Sequence, residues 1–211
     1  MRTYVNLRFK TGAMIPALAA AALLCACSST TRGPAMATYD FGPLPVMAAG
    51  PAPSALPALI VAEVSGPAWL DHQVMAYRLV YADPLQARPY ASSHWSTTPL
   101  QLLSQRMKSR IAQAGAKVLS VTDAADGVAL LRIEADDFSH NFASPAQSSA
   151  HLSLRASLFQ GRKLIDQRSF SHTAAAPSPD AAGGVRALAS ATDAVATDII
   201  AWLSAMPLRQ E

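Results

Sequence analysis

The stretch Ser149-Ala150-His151-Leu152-Ser153-Leu154-Arg155-Ala156-Ser157-Leu158 alternates polar and apolar side chains without a break. Successive side chains of a strand point to opposite faces, so this period of two places Ala150, Leu152, Leu154, Ala156 and Leu158 together on one side. One face is then buried and the other solvated, as in an antiparallel sheet covered on a single side. Gln160-Gly161 turns the chain into a partner strand, Lys163 to His172. Upstream, Lys117 to Val121 and Val128 to Phe138 read as strands separated by an Asp126-Gly127 turn. Leu56 to Val64 is a strand ended by Gly66-Pro67. Met75 to Tyr81 carries Tyr77, Leu79 and Tyr81 on one face, and Arg88 to Ser92 follows the Asp83-Pro84 turn as its hairpin partner.

Two segments change the period to that of a helix. Thr98 is an N-cap, Pro99 stands at the first helical position and Gln101 at the capping-box place. Leu100, Leu103, Met107, Ile111 and Ala114 follow at helical spacing, Gln105, Lys108 and Arg110 take the opposite face, and Gly115 ends the helix. After the loop Ala174 to Pro179, Asp180 caps a second helix with Val185, Leu188, Thr192, Val195, Ile199 and Trp202 on one stripe. Two helices packed on one face of a largely antiparallel sheet make a two-layer α+β domain, expected over residues 57–206, long enough for one core.

The amino-terminal part has a different character. Arg2, Arg8 and Lys10 precede an apolar run from Ala13 to Leu24, and no acidic residue occurs before Asp40. The run is too short to span a bilayer, which takes roughly 20 residues, so residues 1–26 read as a cleaved signal peptide. Leu24-Cys25-Ala26-Cys27 resembles the lipobox of bacterial lipoproteins, with cleavage between Ala26 and Cys27. Cys27 would then carry covalent diacylglycerol and an N-acyl lipid, enough chains for stable anchoring. Ser28 and Ser29 follow with no aspartate, which resembles an outer-membrane address with the domain facing the periplasm. Residues 27–56, with Pro34, Pro43, Pro45, Pro51 and Pro53, read as a lipidated terminus and semi-rigid tether. Within it, Tyr39-Asp40-Phe41-Gly42-Pro43 looks like a short ordered piece.

The 17 Lys+Arg against 14 Asp+Glu drop to 14 against 14 once Arg2, Arg8 and Lys10 are removed (17 − 3 = 14). That balance gives no basic face for a nucleic acid. With Cys25 removed and Cys27 acylated no thiol is left, which excludes disulfides and thiol chemistry.

Several blocks resemble the ABC-type transport auxiliary lipoproteins, the PqiC-like family. They are Tyr39-Asp40-Phe41-Gly42-Pro43, Pro67-Ala68-Trp69-Leu70-Asp71, Tyr77-Arg78-Leu79 and Tyr90-Ala91-Ser92-Ser93-His94-Trp95 with Pro99-Leu100-Gln101-Leu102-Leu103. Asp137-Phe138-Ser139 and Ala181-Ala182-Gly183-Gly184 also fit, and the set runs in order along nearly all of the chain after Cys27. The resemblance implies an outer-membrane lipoprotein that accompanies an MCE-domain tube protein and ABC transporter components in lipid transport. It would cap or dock the tube, sometimes as a ring of copies. Phe41 stands where leucine is commoner in the family.

Trp69, Tyr77, Tyr81, Tyr90 and Trp95 crowd into one third of the chain. Amphipathic aromatics suit binding interfaces, so Trp69, Tyr77, Tyr81 and Trp95 are candidates for a partner interface, Trp69 on its Gly-Pro loop first among them. The alternative is that they pack under the first helix. His72, His94, His140, His151 and His172 lack metal-ligand spacing. Asp136-Asp137 reads as a solvated strand end whose side chains diverge. No Gly-x-Ser-x-Gly elbow is present, so neither an enzyme nor a cofactor is expected. Two rival functions remain open: a stand-alone carrier with lipid held between sheet and helices, and an assembly lipoprotein acting on other outer-membrane components.

Overall fold

The computed structural model describes Thr3 and residues 35–44, 56–123 and 126–208. The expected signal, the Ala26–Cys27 cleavage site and the lipid-bearing Cys27 lie outside the described residues. The chain divides into two units, 1–35 and 36–211, and the fold is that of the second.

The alternating stretch forms β7 (Gln147–Gln160). Ala150, Leu152, Leu154, Ala156 and Leu158 are all fully buried, as the period of two requires. On either side β7 pairs antiparallel with β6 (Ala129–Ser144) and β8 (Lys163–Ala175). Gly161, at φ 58°, makes the turn between β7 and β8 in a conformation that suits glycine. Helix α1 (Pro99–Gln113) and helix α2 (Ala181–Ser204) pack on the apolar face. All six stripe residues of α2, from Val185 to Trp202, are buried. The result is a two-layer α+β fold. Burying one leucine side chain from such a strand or helix contributes about 1.5–3 kcal/mol, so the two stripes carry much of the stability.

The sheet is more mixed than the alternation alone implies. β2 (Leu59–Val61) pairs parallel with the start of β6 and with β5 (Val118–Leu119). β3 (Val74–Leu79) pairs parallel with the far end of β6 and antiparallel with β4 (Asp83–Trp95), the expected hairpin. β1 (Ala37–Tyr39) lies parallel on the outer edge of β4. The short ordered piece inside the tether segment is therefore part of the folded unit. Phe41 brings its ring against Trp95 and Phe138 at centroid distances of 6.0 and 6.2 Å, and Arg106 Nη1 donates to the Gly42 carbonyl at 3.2 Å.

Both helix starts follow the sequence. Thr98 Oγ1 accepts from the Gln101 N–H and Asp180 Oδ1 from the Gly183 N–H. The Gln101 side chain, however, bonds the Thr97 hydroxyl instead of closing the box on Thr98. Asp136 and Asp137 lie within β6, at a register shift, and not at a strand end. Asp136 accepts from Arg155 at 3.0 Å.

Arg110 departs from its expected solvated place. Arg106 Nε and Nη2 grip Asp193 of α2 in a bidentate pair, each at 2.7 Å, and Arg110 Nε adds a third hydrogen bond at 2.8 Å. Arg106 is only 6% exposed, so this ion cluster joins the two helices inside the protein. Burial by itself raises the Asp193 carboxyl. The hydrogen bonds from Arg110 and Arg106 outweigh it and hold the group below the usual carboxylate range.

Candidate functional site

The candidate aromatics separate into three environments. Trp95 is 2% exposed and sits edge-on to Phe41 and Phe138, so it belongs to the core and is not a contact surface. Its inward position follows from β4, which runs on past Ser92 and ends at Trp95. Tyr81 is half-exposed at the tip of the β3–β4 hairpin, next to Val80 and near Leu85. Arg78 Nη1 donates to the carbonyls of Pro84 and Leu85 at 3.3 and 3.1 Å and ties the tip down. Trp69 is also half-exposed, on the 3-10 turn Ala68–Leu70 between β2 and β3.

Three of the four candidates meet around one cavity of about 500 Å³, lined by Trp69, Tyr77 and Trp95 together with Leu70, Val74 and Phe138. Tyr81 is not part of it. The backbone explains why a space exists here. The Ala135 N–H donates to Ser65 O at 2.7 Å, and Val80 N–H to Phe142 O at 3.0 Å. Between those bonds, over residues 136–140, β6 has no strand partner on this flank among the described residues. The chain from Gly66 to Gln73 bows away across the gap and carries Trp69 with it.

His140, one of five histidines scattered along the sequence, is 1% exposed and is among the residues lining the cavity. Its Nδ1 lies 2.9 Å from Tyr90 Oη, and its ring packs at 4.8 Å from that of Phe142. Gly184 explains the fit: a Cβ there would stand 2.3 Å from His140 Nδ1, so only glycine lets α2 come this close. Burial lowers the His140 pKa from 6.5 to about 4, against a smaller opposing effect of Asp180. Burial, then Tyr77 and Asp180, push the Tyr90 phenol well above its ordinary range. Both groups are thus neutral at neutral pH. The signal in the sequence was the glycine pair at the start of α2, where helix propensity disfavours glycine.

Among the described residues no group of three His, Cys, Asp or Glu side chains could hold a metal ion. No helix among them is long and apolar enough to cross a membrane. An apolar, half-enclosed space with a few neutral polar groups is suited to holding an apolar partner, not to proton or group transfer.

The model of a family described as the ABC-type transport auxiliary lipoprotein component matches residues 39–200. No curated protein matches the chain. A crystal structure of a protein from Xanthomonas campestris is similar at a TM-score of 0.61, with 19% identity over 80% of this chain and 91% of that one. A second, uncharacterized protein superposes equally well, at a TM-score of 0.61 and 16% identity, covering 80% of this chain and 99% of its own. At such identities these two likenesses concern the fold alone.

Proposed function

This chain belongs to the ABC-type transport auxiliary lipoprotein family, and from that membership we propose that it is the outer-membrane-anchored docking subunit of a trans-envelope lipid transport system. The family makes it a non-catalytic auxiliary component of transport. The finer role is a positional one. Acyl chains on Cys27 hold one end at the outer membrane, and the α+β domain faces the periplasm to dock or cap an MCE-domain tube protein served by an ABC transporter, as a single copy or as a homo-oligomer. Because β1 begins at Ala37, the segment left to act as a leash is 28–36. At roughly 3.3–3.6 Å per residue it reaches about 30 Å when fully extended.

The observation that carries the proposal is the family match across nearly the whole folded unit. Trp69 supports a contact surface beside the cavity, since an exposed, amphipathic indole on a turn is a common interface anchor. Trp69→Ala should leave the thermal midpoint nearly unchanged and weaken co-purification with the tube protein. Unchanged recovery with unchanged folding would remove Trp69 from the interface.

A further inference from the structure

We propose that the tip of the β3–β4 hairpin is a second membrane contact, at which Val80, Tyr81 and Leu85 enter the headgroup region of the bilayer that holds Cys27. The inference rests on the anchoring through Cys27 proposed above and adds an orientation to it.

The tip is built to stay in the open. Val80, Tyr81 and Leu85 are 44%, 50% and 88% exposed. The Ala82 N–H donates to the Leu79 carbonyl and the Leu85 N–H to Asp83 Oδ1, each at 2.9 Å. Arg78 Nη1 holds the Pro84 and Leu85 carbonyls from behind. A backbone tied at these points keeps its apolar side chains from folding back onto the domain. Three of them then share one projecting turn in water, where an apolar phase would favour their burial.

The chain that leads to the anchor points the same way. β1 lies parallel on β4, with Ala37 level with Ser93 and Tyr39 level with Trp95. β4 runs from the tip toward Trp95, so the chain enters β1 from the tip side. Asp83 and Ser93 are ten positions apart, and so are Cys27 and Ala37. At about 3.3 Å per residue each span comes to roughly 33 Å when extended. A bilayer holding the acyl chains of Cys27 can therefore lie level with the tip and hardly beyond it. The opposite end of the sheet, the β7–β8 turn at Gly161-Arg162, lies in the direction in which β1 runs, away from the anchor.

The side chains fit a lipid interface. Tyrosine is favoured at the headgroup level, and apolar side chains of surface-bound segments sit about 5–10 Å into the boundary. Arg78 is two residues behind Val80, and Arg88 pairs with Tyr77, three residues behind it. Both arginines are thus set back by about 7–10 Å, the level of the phosphates when the tip is inserted. Asp83 is the one acid from Arg78 to Arg88, and its Oδ1 already accepts from Leu85. The neighbouring β6–β7 turn, Pro145-Ala146, carries no charge. Seated in this way, the Trp69 turn, which precedes the six residues of β3, stands about 20 Å off the surface and open to a protein partner.

The test uses the native lipidated protein with Ala82→Cys or Arg162→Cys as its single free thiol. Each is labelled with an environment-sensitive fluorophore and reconstituted in vesicles of phosphatidylethanolamine and phosphatidylglycerol containing doxyl-labelled lipid. The label at residue 82 should shift to the blue and lose most of its emission to the doxyl groups, and the label at residue 162 should do neither. Leu85→Ser, alone or with Tyr81→Ser, should return the label at residue 82 to the behaviour of the one at residue 162. These side chains are exposed, and thermal melts establish that each variant is folded; either folded variant suffices. Flotation of the vesicles reports anchoring separately. Protein that floats while its label at residue 82 is quenched no more than that at residue 162, or equally in a folded tip variant, overturns the membrane contact and leaves the tip to a protein partner. Protein that does not float overturns the anchoring, and the membrane contact with it.

Discussion

At the scale of single residues, the least expected finding is a charge cluster between the helices in which Arg106 is buried and Arg110 and Asp193 are partly buried. Asp193 neutralises Arg106 and Arg110 at once, and Arg106 also holds the Gly42 carbonyl. Removing one partner leaves an uncompensated buried charge, so Asp193→Ala should cost roughly 3–5 kcal/mol in urea denaturation. A loss below about 1 kcal/mol would mean that the cluster is solvated. Gly184→Ala tests the close approach of α2. Helix propensity favours alanine by about 1 kcal/mol, but the added Cβ would meet the His140 ring at 2.3 Å. Overpacking of this kind costs about 1–3 kcal/mol, so the variant should melt lower, and a higher midpoint would contradict the packing. His140 adds a dependence on pH. Its pKa in the fold, about 4, lies below the ordinary 6.5, so the folded state favours the neutral ring. That stability is complete above pH 6.5 and is lost as pH falls toward 4, by up to about 3 kcal/mol at roughly 1.4 kcal/mol per unit. His140→Phe should flatten the melting temperature over this window, whereas carboxylates with lowered pKa, Asp180 and Asp193 among them, act at more acidic pH.

At the scale of elements, β7 is the piece on which the sheet depends. Leu154 is fully buried, facing Ala135 of β6 and Phe170 of β8 in register. Leu154→Ala should therefore cost about 2–5 kcal/mol by denaturant titration, while Ser153→Ala on the solvated face should change little. β7, the β3–β4 hairpin, both N-caps and both helix stripes were legible because each has a strong local signal: a period of two, a period near 3.6, or a capping residue. The parallel pairings were not. β1, β2 and β5 are two or three residues long, and nothing local tells whether such a piece joins its neighbour in sequence or one far away. The same holds for the site. Trp69 was readable as exposed from the Gly66-Pro67 loop around it. Trp95 could be read either as core or as contact surface, because the choice depends on where β4 ends. The Arg106–Asp193 and Tyr90–His140 pairs join residues 87 and 50 positions apart, a distance that periodicity does not span.

At the scale of the whole molecule, the proposed function joins a lipid anchor at Cys27 to a folded unit that starts at Met36. Cys27→Ala should leave the domain's thermal midpoint unchanged and move the protein out of the membrane fraction. Continued fractionation with membranes would contradict anchoring through that residue. The proposed docking role asks for a two-layer body, tied between its helices by the Asp193 cluster, that presents Trp69 beside an apolar cavity. The most direct measurement is mild crosslinking of the native, lipidated protein in intact cells, followed by affinity purification and mass spectrometry. The account predicts recovery of an MCE-domain protein together with ABC transporter components, reduced by Trp69→Ala. Recovery of the folded protein with neither component would contradict it.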